Sequence, residues 1–260
     1  MVRWVAFSRK VLRSRRLEKK VRIKVSIRKQ PADHRASDLT AVAQDYVKAI
    51  WSASEWSDVP VTIGLIAERL GVSPSTVSEG IRKYAAQGLL IHARYGSVEL
   101  TPAGEAYALA MVRRHRLLET FLVEHLGYRW DEVHHEAEVL EHAVSDTFIS
   151  RIDSLLGHPL HDPHGDPIPV PGQAVERMNA VQLSSADAGQ HVVIRRVCDD
   201  SAELLRYFTD HGLIPGARLL VRERMAFATG TTVQVNGAGD ALVLGAEAAQ
   251  ALWVAPDQQD

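Results

Sequence analysis

Apolar residues recur at helical spacing through residues 62–70, Thr-Ile-Gly-Leu-Ile-Ala-Glu-Arg-Leu, and predict a short helix. Gly71-Val72-Ser73 breaks it with a tight turn. Ser73 can cap a following helix, Pro74 suits its first position, and the helix is expected to continue through Lys83. Two helices around a short Gly-containing turn, with small hydroxyls opening the second, form a helix-turn-helix pattern. After Gly88-Leu89-Leu90, residues 91–101 read as two short strands around a Tyr-Gly-Ser turn, a wing. Thr101-Pro102 then caps a new helix. A further helix is expected upstream, from Asp38 to about Ser54.

Beyond the wing, residues 109–156 read as long amphipathic helices, with Met111, Leu117, Leu118, Phe121, Leu122 and Leu126 along one side. Residues 157–172 hold five prolines and read as part of an extended tether, 157–185. Strand-like runs follow at 192–194, 218–221, 231–235 and 241–244, with a hairpin signal at Asn236-Gly237 and a helix at 201–210. The expected architecture is mainly α with α+β parts. A winged-helix domain (38–108) leads to a helical domain (109–156), the tether, and a small β-barrel with one helix (186–256).

Charge sharpens this division. The net charge of −2 hides a basic leader: residues 1–30 carry 12 of the 30 Lys and Arg and one acid, Glu18. The rest carries 18 basic and 31 acidic side chains, an odd balance for a DNA binder unless the acids are used. Residues 1–37 read as a basic leader without a fold of its own. One cysteine, Cys198, rules out an intrachain disulfide framework and suits a reducing cytoplasmic setting. No apolar run approaches the roughly 20 residues that span a membrane, so no membrane partner is expected.

The acids find a use at residues 131–145. On a helix, His134, Glu138, Glu141 and His142 fall at i, i+4, i+7 and i+8 and share one face. His115 and Glu119 repeat the i, i+4 pairing upstream. Carboxylates mixed with imidazoles, without thiolate, suit a divalent ion such as Mn²⁺, Fe²⁺ or Zn²⁺. His135 falls off this face. The other histidines, His164 among them, read as surface or tether residues.

Taken with Gln44-Asp45-Tyr46, the run 112–121, Glu136–Asp146 and Asp162-Pro163-His164-Gly165-Asp166-Pro167, the chain resembles the DtxR/MntR family of metal-dependent transcriptional repressors over residues 38–256. It is most similar to the actinobacterial manganese-sensing members. The resemblance implies a winged helix, a helical dimerisation domain and an SH3-like domain. It implies a core metal site of Asp45, His115, Glu138, Glu141 and His142, and an ancillary site of His115, Glu119 and His134. Ligands from the C-terminal domain are also implied; Asp200 and Glu203 have the i, i+3 spacing for that role. Implied partners are double-stranded operator DNA and a second copy of the chain.

Iron-type members use sulfur donors where this chain has Asp45 and Glu138. Oxygen donors point to Mn²⁺, with Fe²⁺ as the alternative. Manganese regulators often carry an acid three residues after the aspartate. Here that position is Lys48, whose ammonium cannot ligate unless it loses its proton. On the recognition helix, Ser73, Ser75, Thr76 and Glu79 are expected near bases or phosphates. Arg82, Lys83 and the wing's Arg94 are expected to make positioning contacts to phosphates. A metallohydrolase is the alternative from another class, since His/Glu clusters also activate water.

Overall fold

The computed structural model describes residues 35–92, 96–175, 178–224, 230–237 and 240–257. Residues 1–34 of the basic leader and Arg94 of the wing therefore lie outside the described residues.

Helix α1 spans Ala41–Glu55. It starts later than the expected Asp38 because Thr40 takes the cap, leaving Ala36–Asp38 as a single 3₁₀ turn. Helices α2 (Ile63–Leu70) and α3 (Pro74–Ala86) are joined by Gly71 in the left-handed conformation, with Ser73 capping α3. Strands β1 (Leu90–His92) and β2 (Val98–Leu100) pair antiparallel as the wing, and a bridge from Ser97 to Thr62 ties the wing to the start of α2. Val47, Ile50, Ile66, Val77 and Ile81 form the buried core of this unit. Gly80 lets α3 approach α1: an added Cβ would lie 2.4 Å from the Tyr46 ring.

Helix α4 (Pro102–Leu126) is capped by Thr101 and runs unbroken to Gly127. The expected domain boundary at 108/109 thus falls inside one helix, which serves both the wing core and the next layer. Helices α5 (Val133–Ala143) and α6 (Asp146–Leu155) pack on α4 around Leu117, Leu118, Leu122, Val133, Ala137 and Ile152. Leu126, expected on the buried side, is 58% exposed.

The C-terminal unit is a six-stranded antiparallel sheet in the order β3-β8-β4-β5-β6-β7. The strands are β3 (Val181–Gln182), β4 (His191–Val197), β5 (Arg218–Arg224), β6 (Gly230–Val235), β7 (Leu242–Gly245) and β8 (Leu252–Pro256). Helices α7 (Ala202–Asp210) and α8 (Ala246–Gln250) cover its core, where one helix was expected. Nor is the expected barrel closed. Edge strand β3 is two residues long and pairs only with β8, so the edges β3 and β7 do not meet.

The expected tether also needs correction, because its middle is a packed turn. Asp162 Oδ1 accepts the backbone N–H of His164 and of Asp166, each at 2.9 Å. The carbonyl of His164 accepts from Val197 on β4 at 2.8 Å. Gly165 has φ 90°, and an added Cβ there would sit 2.1 Å from the Arg195 carbonyl oxygen. Prolines stiffen this stretch, but the aspartates give its backbone internal partners and so allow burial.

Candidate metal centre

Helices α1, α4 and α5 bring the expected core residues together. Asp45 on α1 lies 2.9 Å from His142 Nε2 on α5. Glu141, one residue earlier on α5, is buried and accepts Lys48 Nζ of α1 on both oxygens at 2.8 Å. His115 Nδ1 on α4 is 2.7 Å from Glu141 Oε2 and 3.0 Å from Lys48 Nζ. Glu138 is half-exposed, with Oε1 3.6 Å from Lys48 Nζ and 3.6 Å from His134 Nε2. Asp45, Glu141 and His142 can each place one donor atom within 4.8 Å of the others.

Gln44, named in the sequence only as part of a motif, sets the chemistry of His142. Its amide nitrogen donates to the carbonyls of Ala36 (2.6 Å) and Leu39 (3.1 Å), which fixes the amide's orientation. Its Oε1 therefore accepts from His142 Nδ1 at 2.7 Å. With the proton on Nδ1 engaged by Gln44, Nε2 is the ring atom turned toward Asp45 and Glu141.

A second group adjoins the first through His115. Its Nε2 lies 2.9 Å from Glu119 Oε1 and 3.2 Å from His134 Nδ1. His115, Glu119 and His134 also have donor atoms within 4.8 Å of one another. The C-terminal unit reaches this group through Asp199, 3.4 Å from His134 Nδ1. Asp200 instead accepts the Cys198 thiol at 3.1 Å, and Glu203 is exposed in the first turn of α7. The i, i+3 expectation assumed a ligand on a helix. Asp199 precedes the α7 cap Ser201 and lies in the loop after β4, where helical spacing does not apply.

His164 is fully buried, against its expected place on the surface. Its Nε2 donates to the Trp130 carbonyl at 2.8 Å, while Nδ1 has no hydrogen-bond partner and lies 4.0 Å from Glu119 Oε2. Glu119, His164 and Asp199 can converge within 4.8 Å, and this set was not legible in the sequence.

These clusters hold their charges in mutual compensation. Burial opposes a charged His134, but hydrogen bonds to Asp199, Glu119 and Glu138 outweigh it and push its pKa up to about 12. The hydrogen bond from His134 pulls Glu138 down to about 2, against burial and with help from Lys48. Burial also opposes the charge of Glu119, yet His115 and His134 hold its carboxyl well below the usual carboxylate range. The side chains open onto a cleft of about 1120 Å³ that also touches α2 and the C-terminal unit, through Leu65, Glu68, Asp200 and Trp253.

The expected DNA-facing residues lie on one exposed surface of α3. Ser75, Thr76, Glu79, Arg82 and Lys83 are exposed there. Ser73 is exposed too, but its hydroxyl caps Thr76 N at 3.2 Å and bonds to the hydroxyls of Ser75 and Thr76.

Residues 38–98 match the iron dependent repressor N-terminal DNA-binding domain. Residues 101–170 match the iron dependent repressor metal-binding and dimerisation domain, and 181–256 match the FeoA domain. The iron-dependent repressor IdeR of Mycobacterium leprae is 32% identical over 220 residues, 80% of this chain and 90% of that protein. The diphtheria toxin repressor of Corynebacterium glutamicum is 31% identical over 192 residues, 70% of this chain and 84% of that protein. A solved manganese-dependent transcriptional repressor in complex with manganese is 53% identical, with a TM-score of 0.79 over 82% of this chain and 99% of that one.

Proposed function

The chain belongs to the DtxR family of metal-dependent, DNA-binding transcriptional repressors, and within it we propose that the effector of this protein is Mn²⁺. The observation that carries this reading is the convergence of Asp45 on α1 with Glu141 and His142 on α5, with His115 joined to them at Glu141 and Glu138 through Lys48. Their donors are oxygen and imidazole nitrogen only, the set that suits Mn²⁺ against softer competitors. The manganese-bound neighbour supports the same ion. Similarity to iron-dependent repressors keeps Fe²⁺ as the alternative. A second ion would be held by Glu119, His134, His164 and Asp199. The unpartnered Nδ1 of buried His164 fits that role, since a donor atom left without a partner in the interior is costly.

Bound in the core group, a divalent ion supplies charge that carboxylates on α1 and α5 can share. The remaining work belongs to the chain. Asp45 and Gln44 ride on α1, which packs against the helix-turn-helix; Glu138, Glu141 and His142 ride on α5. Holding α1 against α5 fixes the tilt of α3 relative to the helical layer. In a homodimer that tilt sets the separation of two recognition helices, which must match major grooves about 34 Å apart. Leu126, Phe148 and Leu155, exposed on the helical layer, offer apolar surface for the second copy. Arg82 and Lys83 would position α3 on phosphates, and Ser75, Thr76 and Glu79 would face bases. The family's repressors favour regulation over the hydrolase alternative.

Selection from a random duplex library, with Mn²⁺ or with chelator, tests this reading. A sequence enriched only with Mn²⁺ is expected, and it should be lost in Glu141→Ala and kept in His135→Ala. Equal enrichment under both conditions would contradict it.

A further inference from the structure

Resting on the metal-responsive reading above, we propose that Lys48 is a built-in competitor cation: it pairs with donor residues that a metal would use and sets how much metal is needed to displace it. Four distances carry this. Lys48 Nζ is 2.8 Å from both Glu141 oxygens, 3.0 Å from His115 Nδ1 and 3.6 Å from Glu138 Oε1. Three of the five core donor residues thus face one ammonium. The Lys48 side chain is only 14% exposed and Glu141 only 2%, so this is an inserted charge and not a solvated surface pair.

Two consequences follow from the placement of these residues. Lys48 and Asp45 are three apart on α1 and turn the same face toward α5. The ammonium therefore ties the DNA-binding unit to the helical layer when no metal is present. Without it, Asp45, Glu138 and Glu141 would face each other with only histidines between them. The same ammonium is tethered to its site, so an incoming ion meets a competitor at high effective concentration. Lys48 thus props the metal-free arrangement and raises the metal demand. By linkage, neutralising it should act in opposite directions on the two, weakening the metal-free state and tightening metal binding.

The test uses the full chain with Lys48→Met, which keeps the aliphatic stem, and Lys48→Arg, which keeps the charge. Mn²⁺ affinity is measured by calorimetry, and affinity for a Mn²⁺-selected duplex is measured with chelator. Lys48→Met is expected to bind Mn²⁺ at least tenfold tighter than the wild type and metal-free DNA at least threefold weaker. Lys48→Arg is expected to bind Mn²⁺ no tighter than the wild type. If the wild type binds Mn²⁺ and Lys48→Met binds it equally or more weakly, the role of Lys48 is overturned while the metal-responsive reading stands. If only Lys48→Met binds Mn²⁺, the competitor stands and the metal-responsive reading falls; if neither binds, both fall. Should Lys48→Met fail to fold, the wild type decides through amine acylation mapped by mass spectrometry. Lys48 should become at least threefold more reactive on adding Mn²⁺, and unchanged reactivity would overturn displacement.

Discussion

Arg116 grips Glu55 through two hydrogen bonds, 3.0 Å from Nη1 and 2.7 Å from Nη2, with both side chains buried. The pair joins α4 to the last residue of α1. Arg116 also donates to the Pro167 carbonyl at 2.7 Å and lies 3.6 Å from Asp162 and from Asp166. Asp166 in turn accepts Arg196 of β4 at 2.5 Å. One guanidinium therefore compensates acids from two segments. Removing one partner of such a buried network leaves unpaired charge, which costs about 3–5 kcal/mol. Arg116→Met is expected to lose that much stability by urea denaturation, and a loss below about 1 kcal/mol would contradict the network's role.

At Gly80, two effects oppose each other. Alanine gains about 1 kcal/mol of helix propensity over glycine. Its Cβ would meet the Tyr46 ring at 2.4 Å, and overpacking of this kind costs about 1–3 kcal/mol. Tyr46 is buried and its hydroxyl donates to the Thr76 carbonyl at 3.3 Å, so the ring has little room to retreat. Gly80→Ala is expected to lower the thermal midpoint, and an unchanged or raised midpoint would show that the ring moves freely.

Gln44 is expected to act on affinity more than on stability. Its Oε1 holds the His142 ring through Nδ1, and loss of such an orienting partner typically costs 10–100-fold in metal affinity. Gln44→Leu is therefore expected to weaken Mn²⁺ binding by at least tenfold in calorimetry. Unchanged affinity in a folded Gln44→Leu protein would mean that the His142 ring is oriented by other contacts.

The helix-turn-helix was legible because its signals are local: Ser73 caps, Pro74 starts and Gly71 turns within a few residues. The acidic and imidazole face of α5 was legible for the same reason, as helical spacing alone aligns Glu138, Glu141 and His142. What escaped depends on distant packing. His164 reads as a tether residue until Trp130 and Val197 take its ring and carbonyl. Asp199 reaches His134 from a loop, where no periodicity marks it. The sheet's failure to close depends on the length of β3, which no pattern in residues 181–182 announces.

Proton release offers a readout of the second group. At neutral pH His134 carries a proton, since its pKa is pushed up to about 12 by its carboxylate partners despite burial. A ligating imidazole must be neutral, so binding there expels that proton. Mn²⁺ titrations in buffers of different ionisation enthalpy should therefore report at least about one proton released per ion bound there, with affinity rising as pH rises. Zero release at pH 7 would exclude His134 as a ligand.

In the proposed mechanism, metal occupancy and operator binding are one coupled equilibrium. The direct measurement is fluorescence anisotropy on the Mn²⁺-selected duplex, titrated with protein at fixed salt, with Mn²⁺ and then with chelator. Affinity at least tenfold higher with Mn²⁺ is predicted, about 1.4 kcal/mol of coupling, with the difference lost in Glu141→Ala. Equal affinity under both conditions at neutral pH would contradict it.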